Sequence, residues 1–101
     1  MNNLNSIIFE GKVSGKPDFI ENKAIFFVES SHFYKNAEGK ETTEKTRVQC
    51  ELIFNQPSRV AMLKDGRGVR LVGRLANFGD RTIIVVEHLE YKKAADWQKI
   101  N

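Results

Sequence analysis

Residues 48–75 read VQCELIFNQPSRVAMLKDGRGVRLVGRL. The period of the apolar residues changes twice along this stretch. Val48, Cys50 and Leu52 alternate with Gln49, Glu51 and Ile53, which is the pattern of a strand with one face buried. Pro57 then suits an early helical position, where its missing N–H costs little. Val60 and Leu63 follow with helical spacing, Met62 lies beside them, and Gly66 supplies a stop. The spacing predicts one short helix. From Val69 the alternation returns, with Val69, Leu71, Gly73 and Leu75 on one side and Arg70, Val72, Arg74 and Ala76 on the other.

The flanks extend this strand–helix–strand unit. Towards the N-terminus, residues 6–13 alternate: Ile7, Phe9 and Val13 share a face with Gly11, and Ile8 falls on the opposite face with Ser6, Glu10 and Lys12. A glycine inside a strand signals a bulge or sharp bend. Residues 15–18 (Gly-Lys-Pro-Asp) break the run. A second strand covers residues 23–35, with Ala24, Phe26, Val28 and Ser30 opposed to Ile25, Phe27, Glu29 and Ser31. The polar stretch 36–45 reads as a long hairpin tip turning at Gly39, which places the third strand at 45–54. Towards the C-terminus, residues 69–76 and 82–91 form strands joined by Asn77-Phe-Gly-Asp80 as a tight hairpin. The tail, 92–101, reads as a helical turn around Trp97 or as a frayed end.

Three strands, a helix and two more strands, with glycines where the first and fourth strands must bend, describe an all-β chain: a five-stranded OB-fold barrel with one short helix between the third and fourth strands. A ferredoxin-like sandwich would need a second helix. Residues 1–91 form the barrel domain and 92–101 a short tail.

Composition narrows the function. The 101 residues, 41% hydrophobic and 29% charged, suffice for one folded unit and argue against disorder. No apolar run is long enough for a membrane span, and the N-terminus lacks the pattern of a signal peptide; a cytoplasmic location and no membrane partner are expected. Cys50 has no second cysteine to pair with, and with only His32 and His88 in the chain no metal site is expected. Cys50 is read as a small apolar core residue and the histidines as surface or satisfied polar groups. With no phosphate-binding loop and no nucleophile motif, neither an enzyme nor a cofactor is expected. The net charge of +3 is mild but uneven. Residues 59–81 hold six basic side chains (Arg59, Lys64, Arg67, Arg70, Arg74 and Arg81) against Asp65 and Asp80. Such a stripe fits a polyanionic partner; a merely solvated surface is the alternative.

The order and spacing of these features resemble the bacterial single-stranded DNA-binding protein family. The resemblance lies in Asn5-x-Ile7-x-Phe9-x-Gly11-x-Val13 followed by Pro17, in Ala24-x-Phe26-x-Val28 followed by Tyr34-Lys35 and Gly39, and in Gly66-x-x-Val69-x-Leu71-x-Gly73-Arg74-Leu75. It covers residues 5–91. It implies binding of single-stranded DNA without strong sequence preference, in replication, recombination or repair. It also implies homo-oligomers, dimer or tetramer, paired through the first strand, where Ile8 suits a partner sheet. The chain departs from the family pattern in three places: Arg47 stands where the third strand would carry an aromatic, the hairpin after the fourth strand is short, and the linker and acidic tip that follow the family's barrel have no counterpart. Residues 26–29 and 49–53 also resemble strands of primosomal replication protein N, a tailless dimeric relative, which makes a primosome component with replication-restart partners the alternative. A barrel used only for protein assembly is a third reading.

A binder of unpaired strands needs flat side chains for bases and cations for phosphates. Tyr34 is the expected stacking residue, with Phe33 as its neighbour and Lys35 beside them. Phe78 suits the tip of the last hairpin. Phe27 is either part of the binding face or a core or dimer contact. Arg47, Arg70, Arg74 and Arg81, with Lys45, are the candidate phosphate contacts, and Arg47 can also stack through its planar guanidinium. Glu29 and Glu51 on the same face would repel phosphate unless paired.

Overall fold

The computed structural model describes residues 3–93. Its elements are β1 (Ile7–Val13), β2 (Asp18–Ile20), β3 (Lys23–Lys35), β4 (Glu41–Ile53), a 3-10 turn (Pro57–Val60), β5 (Gly68–Phe78) and β6 (Arg81–Tyr91). The strands form one sheet in the order β1-β5-β6-β4-β3-β2, and a further pairing of β1 with β3 closes it into a barrel of five strands, with the short β2 added at the edge of β3. The junctions are antiparallel except β4–β6, which run parallel.

The alternation read from the sequence is the alternation that fills the barrel. Val13, Ala24, Phe26, Val28, Cys50, Leu52, Val69, Leu71, Ile84 and Val86 are buried in one cluster. Closure requires β1 to use both edges. Residues from Ile7 to Lys12 pair with β5, whereas Lys12 and Val13 pair with β3. At Gly11 a Cβ would strike the carbonyl oxygen of Glu29, and at Gly73, beside a bulge in the β5–β6 ladder, it would strike that of Val85. Glycine at these two places lets the backbones come close enough for the sheet to curl shut. Asn5 extends the β1–β5 ladder with its side chain, its Nδ2 donating to Leu75 O at 2.8 Å and its Oδ1 accepting from Leu75 N at 3.0 Å.

Three expectations need correction. No α-helix forms between β4 and β5. Pro57–Val60 is a single 3-10 turn, and the bonds from Arg59 N to Gln56 O, Ala61 N to Ser58 O, Leu63 N to Val60 O and Arg67 N to Lys64 O each span three residues. The only apolar anchors, Val60 and Leu63, are three apart, which suits a 3-10 turn, and so short a segment does not recover the cost of helix nucleation. Both side chains are buried against the barrel core. The polar stretch 36–45 is not all loop: the turn is confined to residues 36–40, where the Asn36 side chain accepts from Glu38 N and Lys40 N, and β4 begins at Glu41. After Pro17 the chain adds β2, joined to β3 through Glu21, whose φ of 54° makes the tight turn. Trp97, read above as the centre of a turn or frayed tail, lies outside the described residues. Among the described residues no helix is long and apolar enough to cross a membrane.

Candidate nucleic-acid interface

The β3–β4 ladder runs without a bulge from Lys23 opposite Ile53 to Lys35 opposite Glu41. Side-chain parity is therefore kept along its whole length. Phe26, Val28 and Cys50 point inward, so Phe27, Glu29, Phe33, Lys35, Lys45, Arg47, Gln49 and Glu51 share the opposite face. On the far side of β4, Cys50 pairs with Ile84 and Glu51 with Val85. This puts Ile83 and Arg81 on the same outer face, followed by Arg74 opposite Val85 and Phe78 opposite Arg81. Ile83 is buried yet stands apart from the core cluster, in keeping with an outward side chain covered by its neighbours.

Within this face the strands hold a connected polar and aromatic array. The Arg47 guanidinium carbon lies 3.9 Å from the centroid of the Phe27 ring. Arg47 Nε donates to Ser14 Oγ at 3.2 Å and Nη2 to Ser14 O at 3.4 Å. The segment after β1 thus holds the guanidinium over the ring. Arg81 Nη1 donates to Gln49 Oε1 at 3.0 Å, and Gln49 Nε2 in turn donates to Glu51 Oε2 at 3.5 Å. The two carboxylates that threatened the face are both paired: Lys23 Nζ is 3.0 Å from Glu51, and Lys45 Nζ is 3.8 Å from Glu29. Arg74 is exposed and has no acidic partner among the described residues. Phe78 and Phe33 are each more than 60% exposed, at 62% and 63%, so neither ring is held by the core.

The structure does not bring all the expected residues together. Phe33 and Tyr34 are successive residues of one strand, so they point to opposite sides of the β3–β4 hairpin. Tyr34 stacks on His32, with ring centroids 5.9 Å apart and planes 20° apart, on the side away from Arg47. Arg70 shares the outer side of β5 with Arg74 but stands at the other end of that strand. It is opposite Glu10 on β1 and its Nε is 3.8 Å from that carboxylate. Cys50 is fully buried, and burial pushes its thiol up to about 12, so it packs as a small apolar side chain.

No protein-family model and no curated protein matches the chain in sequence. Solved structures do match it in shape. An SSB of Plasmodium falciparum in complex with ssDNA superposes with a TM-score of 0.74 at 20% identity, covering 92% of this chain and 98% of that one. The chain has the OB-fold of these proteins. A small single-stranded DNA-binding protein from Streptomyces coelicolor gives a TM-score of 0.67 at 19% identity, over 94% of this chain and 97% of that one. A deletion variant of the single-stranded DNA binding protein from Thermus aquaticus gives 0.72 at 17% identity, over 90% of this chain and 51% of that one.

Sequence reading missed Ser14, Gln49 and Lys23. Gln49 was legible in part, because it sits at outward parity beside Arg47. Ser14 carried no signal, since only barrel closure brings the end of β1 against β4.

Proposed function

We propose that the outer face of β3, β4, β5 and β6 binds single-stranded DNA without strong sequence preference. The observation that carries this reading is the Arg47 guanidinium placed over the Phe27 ring and anchored by Ser14. A base can stack on the open side of that guanidinium, which gives the third strand a flat platform where an aromatic was expected. Phe33 at one end and Phe78 at the other offer exposed rings for further bases. Arg74, Arg81, Lys45 and Lys35 meet phosphates between them. Tyr34 is reached by a strand turning over the edge of the hairpin, where it adds a ring on the reverse side. The likeness in fold to single-stranded DNA-binding proteins supports the same reading. Replication, recombination and repair are the settings in which unpaired strands arise, and the proposal extends to them.

Binding of labelled oligothymidylate across a salt series tests it. The expected result is length-dependent binding whose affinity falls with salt by about 0.7 log units per log unit of salt for each phosphate contacted. Absence of binding at low salt would leave a barrel used only for protein assembly.

The same reading includes pairing of chains through β1. The β1 edge opposite β5 is paired only at Lys12 and Val13, and Ile8 is exposed beside Val72, its partner on β5. An open edge with an apolar side chain next to it suits a second copy of the strand. Light scattering of the parent and of Ile8→Lys checks this: the parent is expected to be oligomeric and the variant to shift towards monomer.

A further inference from the structure

A second basic concavity lies off the aromatic face, where β5 begins and β6 ends. Its volume is about 620 Å³, and it is lined by four cations, Arg67, Arg70, Lys92 and Lys93, with the Tyr91 ring and a single carboxylate, Glu90. That volume is in the general range of small-ligand clefts, and the concavity is open to solvent. The carboxylates nearby do not neutralise it. Glu10 serves both Lys92 Nζ, at 2.8 Å, and Arg70 Nε, at 3.8 Å. Glu90 is 3.4 Å from His88 Nε2. Arg67 and Lys93 have no acidic partner among the described residues.

Arg67 is the least satisfied of these. Its backbone is tied on both sides, with Arg67 N donating to Lys64 O at 3.1 Å and Arg67 O accepting from Val13 N at 2.9 Å. Its guanidinium carbon lies 5.5 Å from the centroid of the Tyr91 ring, and that ring is held in turn by the Tyr91 hydroxyl donating to Arg59 O at 2.7 Å. Arg67 Nε is buried and has no acceptor. A buried donor without a partner is costly, and an incoming oxyanion that draws the guanidinium fork outward would remove the cost.

We infer that this concavity is an oxyanion site that takes phosphodiester groups of a strand continuing from the aromatic face along β5. The inference rests on the single-strand reading given above. β5 supplies the track. Arg70, Val72, Arg74, Ala76 and Phe78 alternate on its outer side, so one edge of the concavity and one edge of the aromatic face belong to the same strand. Arg70 and Arg74 are about 13 Å apart along it. A polyanion lying on Arg74 thus has its next fixed cations at Arg70, Arg67 and Lys93. An isolated carboxylate would also suit the cations, but a phosphodiester chain already bound next to them brings several anions at no further cost of association.

The test uses the full chain, its double variant R67Q/K93Q, labelled oligothymidylates of about eight and about thirty nucleotides, and the Arg67 Nε–H signal in nuclear magnetic resonance spectra. On the long strand the double variant is expected to lose about 1.4 from the salt slope, two phosphates at about 0.7 each. The short strand, occupied by the aromatic face, is expected to show the same slope with both proteins. The Arg67 Nε–H signal is expected to shift with the long strand, and Arg67→Lys with Lys93 intact is expected to keep the parent slope. Equal slopes for parent and double variant on the long strand overturn the proposal. So does an equal Arg67 shift with oligoglutamate of matched charge, which would mark a general attraction of anions. Should the parent bind no oligonucleotide, the single-strand reading has failed by itself. Titration with inorganic phosphate then reads the concavity separately: a saturable Arg67 shift with phosphate and none with either oligonucleotide overturns the nucleic-acid source, and no shift at all overturns the oxyanion site. Far-ultraviolet circular dichroism and thermal melting establish that the variants are folded.

Discussion

The β3–β4 ladder is one continuous set of rungs, yet its two halves are different materials. In the barrel half, every second residue of β3 from Ala24 to Val28 is buried, facing Cys50 and Leu52. In the projecting half, from Ser31 to Lys35 on β3, no residue is buried on either side. The register is the same in both. Pairing therefore sets the geometry of the whole ladder, while stability comes only from the half that has a core beneath it. An isolated two-stranded ribbon is marginal in water, so the projecting half opens at lower free energy than the barrel. An exposed ring such as Phe33 fits there because it has nothing to pack against.

The contrast can be broken most directly at Phe26 and Phe33. Phe26→Ala, in the barrel half, is expected to cost about 3–5 kcal/mol in urea denaturation. Phe33→Ala, seven residues further along the same strand, is expected to stay within about 0.5 kcal/mol. Comparable losses at both positions would mean that the projecting half carries stability of its own. For nucleic-acid binding the order is expected to reverse. Phe27→Ala and Arg47→Ala should each weaken oligothymidylate binding by about 1–3 kcal/mol, the value of one stacked base, with melting temperatures close to the parent. Loss of stability without loss of binding at Arg47 would reassign its stacking on Phe27 to a structural role.

High pH sharpens the picture of the barrel half. Burial holds the Cys50 thiol at about 12, against an ordinary value of 9.0. The unfolded chain therefore releases this proton first, and the folded state binds more protons between those two values. Stability is unaffected by Cys50 below pH 9 and falls by about 1.4 kcal/mol per pH unit above it, up to the folded value. Burial raises the Tyr91 hydroxyl in the same direction, so its contribution is also lost as pH rises. Urea denaturation at pH 8 and pH 10 should show a smaller fall for Cys50→Ala than for the parent. Equal falls would mean that the thiol is not sealed. The smallest effect concerns the two faces of the hairpin. Phe33→Ala is expected to weaken binding of a short oligonucleotide by about 1 kcal/mol, whereas Tyr34→Ala, on the reverse side, should change it by less and should affect long oligonucleotides more.

Much of the barrel was legible because half-buried strands leave a period of two. Residues 23–35 and the inward set Val48, Cys50 and Leu52 could be read directly, as could the need for glycine at positions 11 and 73. The expected helix is a 3-10 turn for a definite reason. Pro57, Val60, Leu63 and Gly66 satisfy the start, face and stop signals of a helix, but those signals do not distinguish one anchored 3-10 turn from several α-helical turns when the segment is short. The hairpin tip was drawn too long because strand residues exposed on both faces have no apolar alternation to betray them. The site was legible as a set of residue types rather than as a surface. Parity and position point to Arg47, Phe27, Arg81 and Phe78, whereas Tyr34 enters through the family resemblance and Arg70 through its place on the fourth predicted strand, and neither signal tells that Tyr34 faces the reverse side of the hairpin or that Arg70 stands beside Glu10.

Local sequence alone determined which side of each strand is apolar, where the chain must turn and where a side chain could not be tolerated, since these depend on residues within a few positions of one another. The tertiary structure alone decided that Ser14 meets Arg47, that Gln49 bridges Arg81 and Glu51, and that Arg67 gathers with Lys92 and Lys93. Apart from the bond between Gln49 and Glu51, two positions apart on β4, each of these contacts joins segments that are distant in the chain. Their meeting depends on how far the sheet curls before β1 reaches β3, and that angle is set by the packing of the whole core rather than by any stretch of sequence.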